Sequence, residues 1–327
     1  MVFFGTPEIA LPALESLLAS RHPVVAVVSQ PDRKRGRGRK ESPSPVAERA
    51  LALGTPLLRP ERVGDGNTAA ALAECAPDLG VVVAFGQFIP KAIRTLPRLG
   101  YMINGHASLL PRYRGASPIA QAILDGERYT GVSVMRVEKE MDTGPVALAR
   151  QIEIGERENT GELTQRLSEL AAQALLEAVE TIAAGRARWT EQNAEQASLA
   201  PKISRADAEI DWTRSAVRCA RQIHAMAPKP GAFTRFADAA GKAAELKILR
   251  ARVEGHGSAR EVEPGLLKLA ASPEDPALRI GTGEGWLVPL EVQRSGGKSM
   301  DPEAFLRGHP LQAGTVLSAS GQRGNGS

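Results

Sequence analysis

Apolar residues fall along the chain in two rhythms. Residues 2–4, 24–28 and 79–85 form short continuous runs, as strands do when both faces of a parallel sheet are covered. Ile9, Ala13, Leu14, Leu17 and Leu18 recur at helical spacing after the first run. Thr6 and Pro7 stand where a cap and a first turn belong, with Glu8 at the positive end of the helix dipole. Residues 91–96 predict a short helix ended by Pro97, and 118–124 another. Residues 131–137 alternate as a half-buried strand, and 146–154 supply its returning partner. A long helix follows. Asn159 and Glu162 fit a capping box, and Leu163, Leu167, Leu170, Ala174, Val179 and Ile182 make its apolar stripe. Gly185 suits its end. The succession is that of an α/β fold with a Rossmann-like, mostly parallel sheet.

The rhythm then changes. Residues 186–205 are polar and without a period, which reads as a connection. Past Ile210-Asp211-Trp212 a helix carries Val217, Ala220, Ile223 and Met226. Short strands are predicted near 246–253, 266–270, 278–281 and 286–292, with a hairpin turn at Gly283-Glu284-Gly285. Pro289 implies an edge or a bulge in its strand. This suits a small β-barrel. The division is a first domain over 1–186, a linker over 187–206, a second domain over 207–317 and a disordered tail over 318–327.

Composition excludes several classes. The 327 residues are 43% hydrophobic and 24% charged, ordinary for a globular protein. No apolar run approaches the roughly 20 residues of a membrane span, and no secretory signal opens the chain. Cys75 and Cys219 sit in no metal-binding pattern, which fits a reducing cytoplasm. A GxGxxG loop is missing after the first strand, so no dinucleotide is indicated. Charge is concentrated. Of 41 basic residues, six lie in Arg33-Lys34-Arg35-Gly36-Arg37-Gly38-Arg39-Lys40, leaving 35 against 37 acidic ones elsewhere. The segment has no apolar residue and two glycines, so a flexible loop is predicted. It is either a solvated charged loop or an arm for phosphates.

The chemistry concentrates between Tyr101 and Asp142. Asn104 and His106 are two apart and share a face if residues 102–106 are extended. Gly105 between them permits a close approach or a bend. A carboxylate follows in Met141-Asp142-Thr143-Gly144. An amide, an imidazole and a carboxylate that meet can perform acyl transfer, the carboxylate orienting the imidazole and the amide stabilising an oxyanion. A turn at Asn104-Gly105 and a satisfied polar histidine would look the same in sequence.

Asn104-Gly105-His106-Ala107-Ser108-Leu109-Leu110-Pro111, Tyr113-Arg114-Gly115, Pro118 and Met141-Asp142-Thr143-Gly144 resemble the signature of the folate-dependent formyltransferases. The opening Phe4-Gly5-Thr6-Pro7-Glu8 is similar as well, and the resemblance runs over nearly the whole chain. It implies the formyltransferase sheet followed by an OB-like barrel, with 10-formyltetrahydrofolate as co-substrate and no metal. It implies Asn104, His106 and Asp142 as catalytic residues. Folate contacts would come from Ser108, Leu109, Leu110 and Pro111, and from Phe85, Gly86, Gln87, Phe88 and Ile89. Family members that formylate initiator methionyl-tRNA carry a basic loop between Gln-Pro-Asp and Pro-Ser-Pro that enters the acceptor stem. Here Gln30-Pro31-Asp32 and Pro43-Ser44-Pro45 flank Arg33, Lys34, Arg35, Arg37, Arg39 and Lys40, which become the RNA-contact candidates of a monomeric enzyme. Leu199, His224 and Lys229 depart from the family pattern, which has an aromatic, Arg and Trp there. A small-molecule amine as acceptor, hydrolysis of the formyl folate, and a catalytically silent tRNA-binding protein remain open at this level.

Overall fold

The first strand forms because Val2, Phe3 and Phe4 are wholly buried, alternate residues facing opposite layers. The computed structural model describes residues 1–35, 40–237, 243–254, 262–294, 296–312 and 314–317. They divide into two compact units. One comprises Met1–Pro118, Tyr129–Glu153 and Thr164–Pro201, the other Ile119–Arg128, Ile154–Leu163 and the chain from Lys202 onward. Residues 187–201, read above as part of a connection, group with the first unit.

In chain order the elements are β1 (Val2–Gly5), α1 (Leu11–Leu18), β2 (Ala26–Val28), β3 (Arg33–Arg35), β4 (Lys40–Ser42), α2 (Pro45–Ala52), β5 (Leu57–Leu58), α3 (Gly66–Glu74), β6 (Gly80–Val83) and α4 (Lys91–Arg94). Next come β7 (Met102–His106), β8 (Arg114–Gly115), α5 (Pro118–Asp125), β9 (Tyr129–Arg136), β10 (Val146–Glu153), α6 (Thr160–Ala183) and β11 (Leu199–Ala200). The main sheet has the order β10-β9-β7-β6-β1-β2-β5. The five strands from β5 to β7 are parallel. An antiparallel pair, β9 and β10, completes the edge beyond β7. The chain winds outward from β1 to β5, then returns to the other side of β1 as β6. Open α/β sheets bind ligands at such a reversal, beyond the strand C-termini.

One face of the sheet packs Val2, Phe4, Val28, Val82 and Met102 against Leu72 and Ile93 of α3 and α4. On the opposite face α6 comes close to β7, and a Cβ on Gly105 would stand 3.0 Å from Leu175. The capping box at the start of α6 is present. Asn159 Oδ1 accepts from the Glu162 amide at 3.0 Å and Glu162 Oε2 from the Asn159 amide at 3.1 Å.

Two local expectations are corrected. Thr6 does not cap a helix. The chain enters α1 through a 3-10 turn, Glu8–Ala10, without a side-chain cap. The Thr6 hydroxyl instead donates to the Phe85 carbonyl at 2.8 Å, a stronger claim from a buried acceptor across the sheet. The basic segment is not a loop throughout. Its ends pair as an antiparallel ladder, Arg33 opposite Ser42 and Arg35 opposite Lys40. A two-stranded ladder can form on backbone hydrogen bonds alone, so the lack of apolar residues did not preclude it. Arg37 and Arg39 lie outside the described residues, as does the tail over 318–327.

The second unit contains α7 (Ala216–Met226), β12 (Ala232–Ala237), β13 (Ala243–Glu254), β14 (Leu267–Leu269), β15 (Leu278–Gly281), β16 (Trp286–Arg294), β17 (Ser299–Met300) and α8 (Pro302–Gly308). Its strands form one antiparallel sheet in the order β12-β13-β16-β15-β14, with β17 on β16. This curled sheet is the OB-like second domain. Pro289 pairs with Ala251 just past register shifts at Arg250, so it marks a bulge. His224 is buried with Nε2 3.0 Å from the Ala251 carbonyl, and burial lowers its pKa. No helix among the described residues is long and apolar enough to cross a membrane.

Ser44 caps α2 by accepting from the Ala47 amide at 3.0 Å, and its hydroxyl meets that of fully buried Ser29 at 2.5 Å. Ser44→Ala removes the cap and strands the Ser29 hydroxyl, so it should cost about 2 kcal/mol in a denaturant titration of the first unit. A midpoint equal to that of the parent protein would contradict this assignment.

Candidate active site

The face of β7 that carries Met102 inward ends in polar groups. Gly105 faces α6, so Asn104 and His106 point to the other side, the face shared with the reversal between β1 and β6. Asn104 pairs with Val82, which carries the chain leaving β6 at Ala84 past His106. The Asn104 carboxamide is half-buried and has no protein hydrogen-bond partner among the described residues.

His106 has a polar group opposite each ring nitrogen. Its Nε2 lies 2.8 Å from the Tyr113 carbonyl, which only accepts, so Nε2 carries a proton. Nδ1 lies 3.5 Å from Asp142 Oδ2, and the two side chains are only 7% and 11% exposed. Asp142 Oδ2 also accepts from the Gly115 amide at 2.8 Å. The imidazole and the carboxylate from the sequence are thus brought together.

The route by which Asp142 arrives is indirect. Arg136, the last residue of β9, pairs with Ile103, whereas Ser133 pairs with His106. The chain therefore leaves β9 about 10 Å down the strand from His106. It must double back to present its carboxylate. Asp142 itself adopts φ +57°, in the left-handed region. Gly144 has no room for a side chain, because a Cβ would stand 2.0 Å from the Arg136 carbonyl oxygen.

Residues 187–201 brace this turn. Gln192 Nε2 donates to the carbonyls of Asp142 at 2.9 Å and Gly144 at 2.7 Å. Its Oε1 accepts from Arg114 Nε at 3.1 Å and Nη2 at 2.7 Å. Ser198 Oγ accepts from the Tyr113 amide at 2.9 Å, and β11 runs parallel to β8. Tyr113 is at φ +60°, so both partners of His106 sit on left-handed residues tied to this segment.

The proposed folate residues divide by environment. Ser108 is fully buried, its Oγ donating to the Arg112 carbonyl at 2.6 Å. Ser133 Oγ donates to the Ser108 carbonyl at 2.8 Å and accepts from the Leu110 amide at 3.0 Å, fixing the turn of Leu109, Leu110 and Pro111, all half-buried. Phe85 and Ile89 are core side chains and offer backbone only. The Phe85 carbonyl accepts from Thr6 Oγ1 and from Gln30 Nε2 at 3.0 Å. Gly86 at φ +82° is exposed, Gln87 is tied to Pro60 and Val63, and Phe88 is 68% exposed. Arg33 is exposed and follows Gln30 by three residues, so the basic hairpin is rooted beside the strand reversal.

Sequence reasoning passed over Gln192, Ser198, Gly115 and Ser133 as parts of the site. Gly115 stood in the signature stretch and Gln192 resembled a family linker residue, while Ser133 left a trace as a polar residue among the wholly buried positions of β9. Ser198 acts through a contact distant in sequence.

Residues 1–179 match the formyl transferase family, and residues 202–310 match the formyl transferase C-terminal domain. The chain is 41% identical to the methionyl-tRNA formyltransferase of Bartonella quintana, over 94% of this chain and 97% of the relative. It is 40% identical to that of Ruegeria pomeroyi, over 97% and 99%. Its fold is similar to the crystal structure of an N-formyltransferase from Helicobacter canadensis in complex with folinic acid and dTDP-3-aminofucose. That likeness has a TM-score of 0.63 at 16% identity, over 90% of this chain and 98% of the other. The chain belongs to the methionyl-tRNA formyltransferase family.

Proposed function

We propose that this protein transfers the formyl group of 10-formyltetrahydrofolate to the α-amino group of methionine on initiator methionyl-tRNA. The observation that carries the mechanism is the buried His106–Asp142 pair beside an unpartnered Asn104 amide at the strand reversal.

The acceptor is a weakly basic amine. A free α-amino group has a pKa of about 7.7–8.0, and an adjacent ester lowers it further, so a neutral nucleophile is available without a strong base. Attack on the formyl carbon forms a tetrahedral adduct whose oxygen gains charge. Asn104 is suited to donate to that oxygen. With a proton fixed on Nε2 by Tyr113, the basic position of His106 is Nδ1. Nδ1 takes the proton lost by the amine, and the imidazolium so formed faces Asp142. Return of that proton to N10 of the folate lets the C–N bond break. Proton and charge balance without an external acid. Folate sits on the turn of Ser108–Pro111 and on the backbone of 85–89 in this reading, and no step requires a metal.

The basic hairpin is assigned to the acceptor stem. Gln30, bonded to Phe85, ties its root to the site. Arg33, Lys34, Arg35, Arg37, Arg39 and Lys40 then neutralise phosphates near the amine to be formylated. Residues 202–327 hold 18 basic and 14 acidic residues, an excess assigned to the same backbone.

The direct test follows labelled 10-formyltetrahydrofolate offered charged initiator tRNA, charged elongator tRNA and free small-molecule amines. Label on the initiator methionine supports the proposal, whereas label on a free amine, or release as formate, overturns it. Asn104→Ala, His106→Ala and Asp142→Ala should each slow single turnover at saturating substrates by on the order of 10²–10³ while the proteins stay folded. Unchanged rates would remove these residues from the mechanism. Replacing all six basic residues of 33–40 with Ser should weaken tRNA use and flatten its salt dependence, by roughly 0.7–0.9 in log–log slope for each phosphate left without its cation. An unaltered slope would remove the arm.

A further inference from the structure

Asp142 reaches His106 only because its loop turns back on itself, and one side chain holds that turn. Gln192 uses all of its hydrogen-bonding capacity there. Both hydrogens of Nε2 go to carbonyls on either side of Thr143, and Oε1 takes two donors from the Arg114 guanidinium. The amide orientation is determined by these partners, since the flipped form would set oxygen against two carbonyls and NH2 against a guanidinium.

The bridge spans the two strands of chain that meet the carboxylate. Asp142 carries Oδ2, and Gly115, next to Arg114, donates its amide to that oxygen. Gln192 is itself fixed, because Thr190 and Val146 exchange backbone hydrogen bonds at 2.8 and 2.9 Å. Asp142 at φ +57° is a conformation that the surroundings must over-determine. The only side chain donating to the Asp142 carbonyl among the described residues is Gln192.

We infer that Gln192 is a positioning residue that sets where the Asp142 carboxylate stands against His106 Nδ1. The inference rests on the role given to Asp142 in the proposed function. It predicts a loss in turnover rather than in binding, because Gln192 itself is assigned no contact with folate or tRNA. Displacing a catalytic group by about 1 Å can cost on the order of 10²-fold. Gln192→Met keeps length and volume and removes all four hydrogen bonds. Gln192→Glu keeps an acceptor for Arg114 but turns a carboxylate oxygen toward two carbonyls, so the protein folds and the loop shifts.

The experiment measures kcat, KM for each substrate and thermal midpoint for both variants, alone and in the Asp142→Ala background. The ring-nitrogen NMR signals of His106, assigned through His106→Asn, are followed in the same proteins. Both Gln192 variants should lose about 10- to 100-fold in kcat with KM within about twofold. In the Asp142→Ala background the further loss should be under about twofold, since the two act through one group. The His106 signals should move toward their pattern in Asp142→Ala. Full kcat with unmoved His106 signals overturns the inference, as does a loss that multiplies with that of Asp142→Ala. Failure of the functional reading is separate. It would show as a parent protein that does not formylate methionyl-tRNA, and the NMR comparison would still decide whether Gln192 places Asp142.

Discussion

Along β7 the helix-facing side is tight at residue 105, because Leu175 of α6 stands 3.0 Å from where a Cβ would be and a side chain there would have to displace it. With a glycine there, the strand stays extended and α6 stays close. The residues on either side must then face the other way, toward the reversal of strand order. Asn104 and His106 are therefore delivered by alternation of the strand and by the close packing of a helix. Their neighbour on the same face, Met102, is wholly buried in the core that includes Leu72 and Ile93. One strand thus passes from core to chemistry within three alternate positions.

The rest of the site supplies what a strand cannot. A parallel sheet puts strand C-termini together, yet β9 runs antiparallel and releases its chain at the wrong end. The doubling back of residues 137–145, the left-handed Asp142 and the missing Cβ at Gly144 all answer that one mismatch. Family membership and geometry converge here. The relatives point to the reaction, and the buried approach of His106 Nδ1 to Asp142 Oδ2 supports the roles proposed for these residues.

Much of this was legible where the determining contacts are local. The capping box of Asn159 and Glu162 is a four-residue pattern and was read directly. The buried strands announced themselves as continuous apolar runs, and the alternation at 102–106 placed Asn104 and His106 on one face. Contacts across the chain were not legible. Thr6 fits a cap by local rules, but Phe85, 79 residues away, offers a buried carbonyl that no local pattern reveals. Strand β12 escaped because Arg235 interrupts its apolar alternation. That residue lies over the ring of Phe233, two residues before it, and is held by Glu209, a partner outside the strand. The ladder of Arg33–Arg35 with Lys40–Ser42 needs no apolar residue, so hydropathy was silent there.

The pairing of β11 with β8 also bears on how the enzyme comes into being. Every residue assigned to chemistry has left the ribosome by Asp142, and the whole main sheet by the end of β10. The brace at 190–200 emerges some fifty residues after that carboxylate. A nascent or proteolysed chain ending at 186 would hold its full complement of reactive groups without the Gln192 and Ser198 bonds that brace the turns around them. On the role inferred for Gln192, the brace around Asp142 is completed only when this late-synthesised segment is in place.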